Sequence, residues 1–132
     1  MEKRVLVVED STTMRSLIAS TVEEIPGFTV IAVGNGFEAL KTLPQQPIDL
    51  IITDINMPDI NGLEIVNFVK NHPNYRTIPM IIVSTEQSEE DIQKGRYIAV
   101  DMNKMSFEEI DRLLRSKWPS KKINQKNRKS YD

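Results

Sequence analysis

Residues 51–62 read Ile51-Ile52-Thr53-Asp54-Ile55-Asn56-Met57-Pro58-Asp59-Ile60-Asn61-Gly62. An apolar run over Ile48–Ile52 passes through Thr53 into a carboxylate, then into a polar loop ending in glycine. Short runs rich in Ile and Val, with little polar alternation, are the mark of strands covered on both faces. A second such run far upstream, Val5-Leu6-Val7-Val8, also ends in acids, Glu9-Asp10. In a parallel sheet the C-terminal strand ends share one edge, and ligands bind there. Three carboxylates gathered on that edge repel one another unless a cation sits among them. Clustered hard oxygens suit Mg²⁺, and an acidic edge that holds Mg²⁺ can hold a phosphoryl group beside it.

Working outward, further runs lie at Val30–Val33, Met80–Val83 and, most weakly, Tyr97–Val100. Helical patterns alternate with them. Residues 11–25 place Met14, Leu17, Ile18, Val22 and Ile25 on one stripe, with Ser11 suited to cap the start. Residues 36–43 follow the turn signal Gly34-Asn35-Gly36. Residues 62–71 carry Leu63, Ile65, Val66 and Val69. A short helix is expected over 88–94, with Ser88 as cap and Glu89-Glu90-Asp91 in its first turn. A last one is expected over 106–117, with Phe107, Ile110, Leu113 and Leu114. Five strand–helix units predict an α/β fold with an open, doubly wound parallel sheet and right-handed crossovers. From Trp118 onward the pattern stops, so residues 1–117 read as one domain and 118–132 as a tail or linker.

The bulk composition, 39% hydrophobic and 27% charged, is that of a globular chain. With no cysteine, disulfide and thiolate chemistry are excluded. Met1-Glu2-Lys3-Arg4 leads straight into a run too short for a signal sequence or a membrane span, so a cytoplasmic location is expected. The net charge of −2 hides an asymmetry, because residues 117–132 carry +5 and the rest −7. An acidic body makes a poor nucleic-acid surface. The basic tail has no interleaved aromatics and reads as a solvated end, a linker stub or a contact for an acidic partner.

These residues resemble a known family, the receiver domain of two-component response regulators, of the single-domain chemotaxis type. Glu9-Asp10 matches its metal-binding pair, Asp54 its phosphoacceptor, and Met57-Pro58-Asp59 with Gly62 the loop that follows. Ser84, after Ile81-Ile82-Val83, matches its switch hydroxyl. The resemblance implies a flavodoxin-like (βα)₅ sheet with strand order 2-1-3-4-5. It implies Mg²⁺-dependent transfer of a phosphoryl group to Asp54 from a histidine kinase or phosphotransfer protein, and a downstream output protein. Mg²⁺ would be held by Asp10, Asp54 and the Asn56 main-chain carbonyl, with Glu9 acting through water. Asn56 and Glu86, each two residues beyond Asp54 and Ser84, would tune dephosphorylation. The protein would be a monomer or a phosphorylation-dependent dimer, and an enzyme only toward its own aspartate.

The resemblance is strong over about residues 3–95 and becomes irregular around the fifth strand. The segment 88–105 is short for a full fourth helix and fifth strand. Lys104 is the lysine nearest the place of the family's phosphoryl-contacting lysine, but Met105 follows it where the family has proline. If Tyr97 is instead taken as the aromatic switch residue, Val100 falls at the lysine position, and the two alignments exclude each other. An alternative reading is therefore a degenerate receiver, a protein-binding module independent of phosphorylation.

Two other classes fit less well. A haloacid-dehalogenase-type phosphatase wants Asp-x-Asp at its first strand, whereas Asn56 stands where the second acid is needed. Nucleotide binding wants a glycine-rich phosphate loop, and Gly34-Asn35-Gly36 is too short. Asp10 stands where it can cap a helix, bind a cation, or both. His72 is the only histidine and sits in a polar loop, so it reads as a surface residue.

Overall fold

The structure, a computed structural model, describes residues 2–83, 96–100 and Arg112. The helices expected over 88–94 and 106–117 lie outside these residues, apart from Arg112, which is helical. Outside them too are Ser84, Glu86, Lys104 and the tail 118–132.

Five strands form one parallel sheet: β1 (Lys3–Val8), β2 (Phe28–Val33), β3 (Leu50–Thr53), β4 (Met80–Val83) and β5 (Ile98–Val100). Their spatial order is β2-β1-β3-β4-β5, the doubly wound order expected. Three helices, α1 (Thr12–Glu23), α2 (Gly36–Thr42) and α3 (Gly62–Asn71), fill the described connections. The fifth strand has three residues, one fewer than expected, with Tyr97 buried just ahead of it.

Residues Val5–Val8 of β1 and all of β3 and β4 are buried because both faces of the sheet are covered there. In β1, Val5 and Val7 point into one core with Ile18 and Val22 from the buried face of α1 and Ile25 just beyond it. Leu6 and Val8 alternate into the other core, with Ala39 from α2 and Ile65, Val66 and Val69 from α3. Met80 joins this second core and Met14 packs against the edge of the first. One member of the expected α1 stripe is turned outward, since Leu17 is 51% exposed.

Element ends shift for local reasons. β1 begins two residues early because a ladder needs only backbone, and Lys3 and Arg4 pair with Phe28 and Thr29. β3 begins later than Ile48, and Asp49 ahead of it exchanges hydrogen bonds of 2.8 Å with Arg4 in both directions. α1 stops at Glu23 with Glu24 as its C-cap, because Pro26 biases Ile25 away from helical backbone. His72 is the C-cap of α3 and stacks on Tyr75 with ring centroids 4.3 Å apart, so it is half-buried rather than a free surface side chain.

Leu6 is fully buried at the centre of the second core. Leu6→Ala is expected to destabilise the fold by about 3 kcal/mol, read from urea unfolding at constant m-value.

Candidate functional site

The strand order puts β1 beside β3, with Val8 level with Thr53. The chain leaving each strand therefore emerges at the same place. The Asp54 N–H donates to the Val8 carbonyl (3.1 Å), and the Glu9 N–H to the Val33 carbonyl (3.1 Å). This backbone arrangement brings one carboxylate oxygen from each of Glu9, Asp10 and Asp54 within 4.8 Å of one another.

Neighbouring residues set how each carboxylate is presented. The Ser11 N–H donates to Glu9 Oε2 (3.0 Å), while Ser11 Oγ accepts from the Met14 N–H (3.2 Å). Ser11 is thus the N-cap of α1, and the exposed Asp10 carboxylate is left to the acidic cluster. Asp54 folds back on its own loop, its Oδ1 accepting from the Ile55 N–H (2.7 Å). Gly62 closes that loop with a hydrogen bond to the Ile55 carbonyl (2.9 Å). A Cβ at Gly62 would lie 2.2 Å from the Asp54 carbonyl oxygen, so only glycine lets α3 start this close to Asp54. Asn61 and Glu64 form a reciprocal capping box that fixes the α3 end of the same loop.

Burial decides the electrostatics. Glu9 is 2% exposed, and its Oε1 has no hydrogen-bond partner. Burial pushes its carboxyl up to about 7; the Ser11 N–H opposes this, and Asp54 and Asp10 raise it further. Asp54 is also raised, chiefly by burial and then by Asp10, against the N–H groups of Ile55 and Asn56. Asp59 moves the other way. Its carboxyl is held low by the N–H of Phe37 first, with those of Ile60 and Gly36 helping. Those bonds, 2.9 Å to Phe37 and 3.2 Å to Gly36, tie the loop after β3 to the start of α2.

A buried carboxylate oxygen without a partner, facing two more carboxylates, fits a hard divalent cation: the ion would satisfy the orphan and cancel the repulsion. The structure thus assembles Glu9, Asp10 and Asp54, with Asn56 exposed in the adjoining loop. The placements of Ser84, Glu86 and Lys104 fall outside the described residues. Two contributors went unread in the sequence. Arg15 donates from Nη1 to the Glu9 carbonyl (2.8 Å), and Asp59 ties two loops together. Arg15 lies six residues from Glu9, within reach across a turn, but nothing in the spacing says that its target is a main-chain carbonyl.

A sequence model described as "Response regulator receiver domain" matches residues 5–111. The chain is 36% identical over 105 residues to a probable transcriptional regulatory protein of Picosynechococcus, covering 74% of this chain and 41% of that one. It is 39% identical over 84 residues to the chemotaxis protein CheY homolog of Campylobacter jejuni, covering 63% and 65%. The chain therefore matches less than two thirds of the length of either relative. Among solved structures, the chemotaxis response regulator CheY4 of Vibrio cholerae superposes with a TM-score of 0.76 at 28% identity, over 88% of this chain and 98% of that one.

Two outcomes follow from this geometry. Gly62→Ala forces a backbone clash and is expected to cost about 2 kcal/mol or more in urea unfolding. Glu9 has its folded-state pKa raised from 4.5 to about 7, so the native state holds the extra proton and stability is lost as pH rises between those values. In chelator, Glu9→Gln should therefore be more stable than wild type at about pH 8, by up to roughly 3 kcal/mol in urea unfolding, and the two should converge below about pH 4.5.

Proposed function

The chain belongs to the response regulator receiver family, whose members are signalling modules rather than enzymes with a turnover substrate, and from that premise we propose that Asp54 is its phosphoacceptor. The observation that carries the reading is the buried, partnerless Glu9 Oε1 beside Asp10 and Asp54, at the sheet edge where the Asp54 carboxylate is presented.

In this reading Asp10, Asp54 and the Asn56 main-chain carbonyl hold Mg²⁺, with Glu9 acting through water. The chemistry the ion supplies is neutralisation of charge on the phosphoryl oxygens. The Asp54 carboxylate attacks phosphorus of a phosphohistidine on a histidine kinase or phosphotransfer protein, forming an acyl phosphate. The P–N bond breaks with its electron pair passing to the imidazole nitrogen, which takes up a proton. The N–H groups of Ile55 and Asn56 orient the Asp54 carboxylate for this attack and oppose the upward push of burial on its pKa.

Ser84 follows the last residue of β4 and is assigned the switch hydroxyl, donating to a phosphoryl oxygen once that group is in place. Asn56, exposed in the loop, and Glu86 are assigned the tuning of hydrolysis, because polar side chains there can orient water. Lys104 is assigned the phosphoryl contact; it lies four residues beyond Val100, the end of β5. The phosphorylated form binds a downstream output protein. A relative of which the matched part is only 41% is compatible with a linker role for the basic tail. No helix among the described residues is long and apolar enough to cross a membrane.

The test is intact mass after incubation of the full chain with a small phosphodonor and Mg²⁺. One phosphoryl group per chain is expected, absent with chelator and absent in Asp54→Asn. No adduct on the wild type under any phosphodonor would replace this reading with that of a phosphorylation-independent binding module.

A further inference from the structure

Arg15 sits in the first turn of α1, its N–H bonded to the Ser11 carbonyl at 2.8 Å. Its guanidinium Nη1 reaches back to donate to the Glu9 main-chain carbonyl, also at 2.8 Å, in a half-buried bond. The guanidinium also lies against Gly34. A Cβ there would stand 3.0 Å from Nη1 and 3.7 Å from Cζ. One side chain therefore spans α1, the turn after β1 and the turn after β2. Its partner among the described residues is a carbonyl, and no carboxylate among them lies within ion-pair distance of it.

We infer that Arg15 is a positioning residue for the cation site: by holding the Glu9 main chain against the Gly34 turn, it keeps the Glu9 and Asp10 carboxylates aimed at Asp54. The inference rests on the cation-site reading above. A charged donor on a carbonyl makes a stronger bond than a neutral one. Here it acts on the residue whose N–H is held by Val33, whose Oε2 is held by Ser11 and whose Oε1 is left for the ion. An arginine spent on a carbonyl also leaves the three carboxylates without an ion-pair partner among the described residues. Gly34 supplies the space this requires. It lacks a left-handed backbone, so alanine is conformationally permitted there and would act only by crowding the guanidinium.

Charge and position predict opposite outcomes. Removing a cation from beside an acidic edge should tighten the binding of another cation. Losing the clamp should weaken it, and residues that orient metal ligands from behind are worth about 10- to 100-fold in affinity. The experiment is calorimetric titration of the full chain with MgCl₂ for wild type, Arg15→Ala, Gly34→Ala and the double variant, with thermal unfolding in chelator alongside. Each single change is expected to raise the Mg²⁺ Kd about tenfold. The double variant should match Arg15→Ala alone, because Gly34→Ala acts through a side chain no longer there. Gly34→Ala keeps the arginine and tests the clamp even where Arg15→Ala fails to fold. A Kd for Arg15→Ala equal to or below wild type, or full additivity in the double variant, overturns the assignment while leaving the cation site standing. A wild type that binds no Mg²⁺ overturns both.

Discussion

Repulsion among three carboxylates at one sheet edge is the constraint on which the site depends. Parallel pairing of β1 with β3 leaves the chain no choice about where Glu9, Asp10 and Asp54 emerge. The usual escapes are closed. Ser11 takes the capping position that would have engaged Asp10, and Arg15 bonds a carbonyl rather than a carboxylate. Among the described residues no cationic side chain pairs with the three, and burial raises the Glu9 and Asp54 carboxyls, an arrangement that a hard cation would relieve.

The same edge is tied mechanically to its surroundings. The loop after Asp54 is held at three points: by the N–H groups that Asp54 accepts, by Gly62 pressed on the Asp54 carbonyl, and by Asp59 bonded to the start of α2. Such a loop has few soft degrees of freedom. A charge added at Asp54 must be accommodated by the elements in contact with it, which is how a local electrostatic change gains a wider effect in packed structures.

Much of this was legible in the sequence because it rests on periodicity and on residues whose chemistry is written in their type. Uninterrupted Ile/Val runs specified strands with two covered faces, and alternating Val5/Val7 and Leu6/Val8 enter opposite cores accordingly. Acids directly after two such runs specified the edge. What escaped reading depends on three-dimensional contact. That Leu17 faces water, that His72 packs on Tyr75, and that Arg15 bonds a carbonyl across Gly34 are decided by the path of the backbone rather than by spacing. The region after residue 83 was the hardest to read, because Tyr97 and Lys104 support incompatible alignments.

The β4–β5 register bears on that choice. Val83 lies level with Val100, so β5 runs from just after Tyr97 to a point level with the residue before Ser84. Lys104, proposed as the phosphoryl contact, is four residues further along the chain than the end of β5. Lysine has the longest flexible stem of any cationic side chain and makes a point-charge contact that needs no fixed fork. Under the proposed assignment the lysine comes from beyond the strand, which itself ends in valine. An arginine in the same place would have to satisfy a planar geometry that a longer approach makes harder to hold.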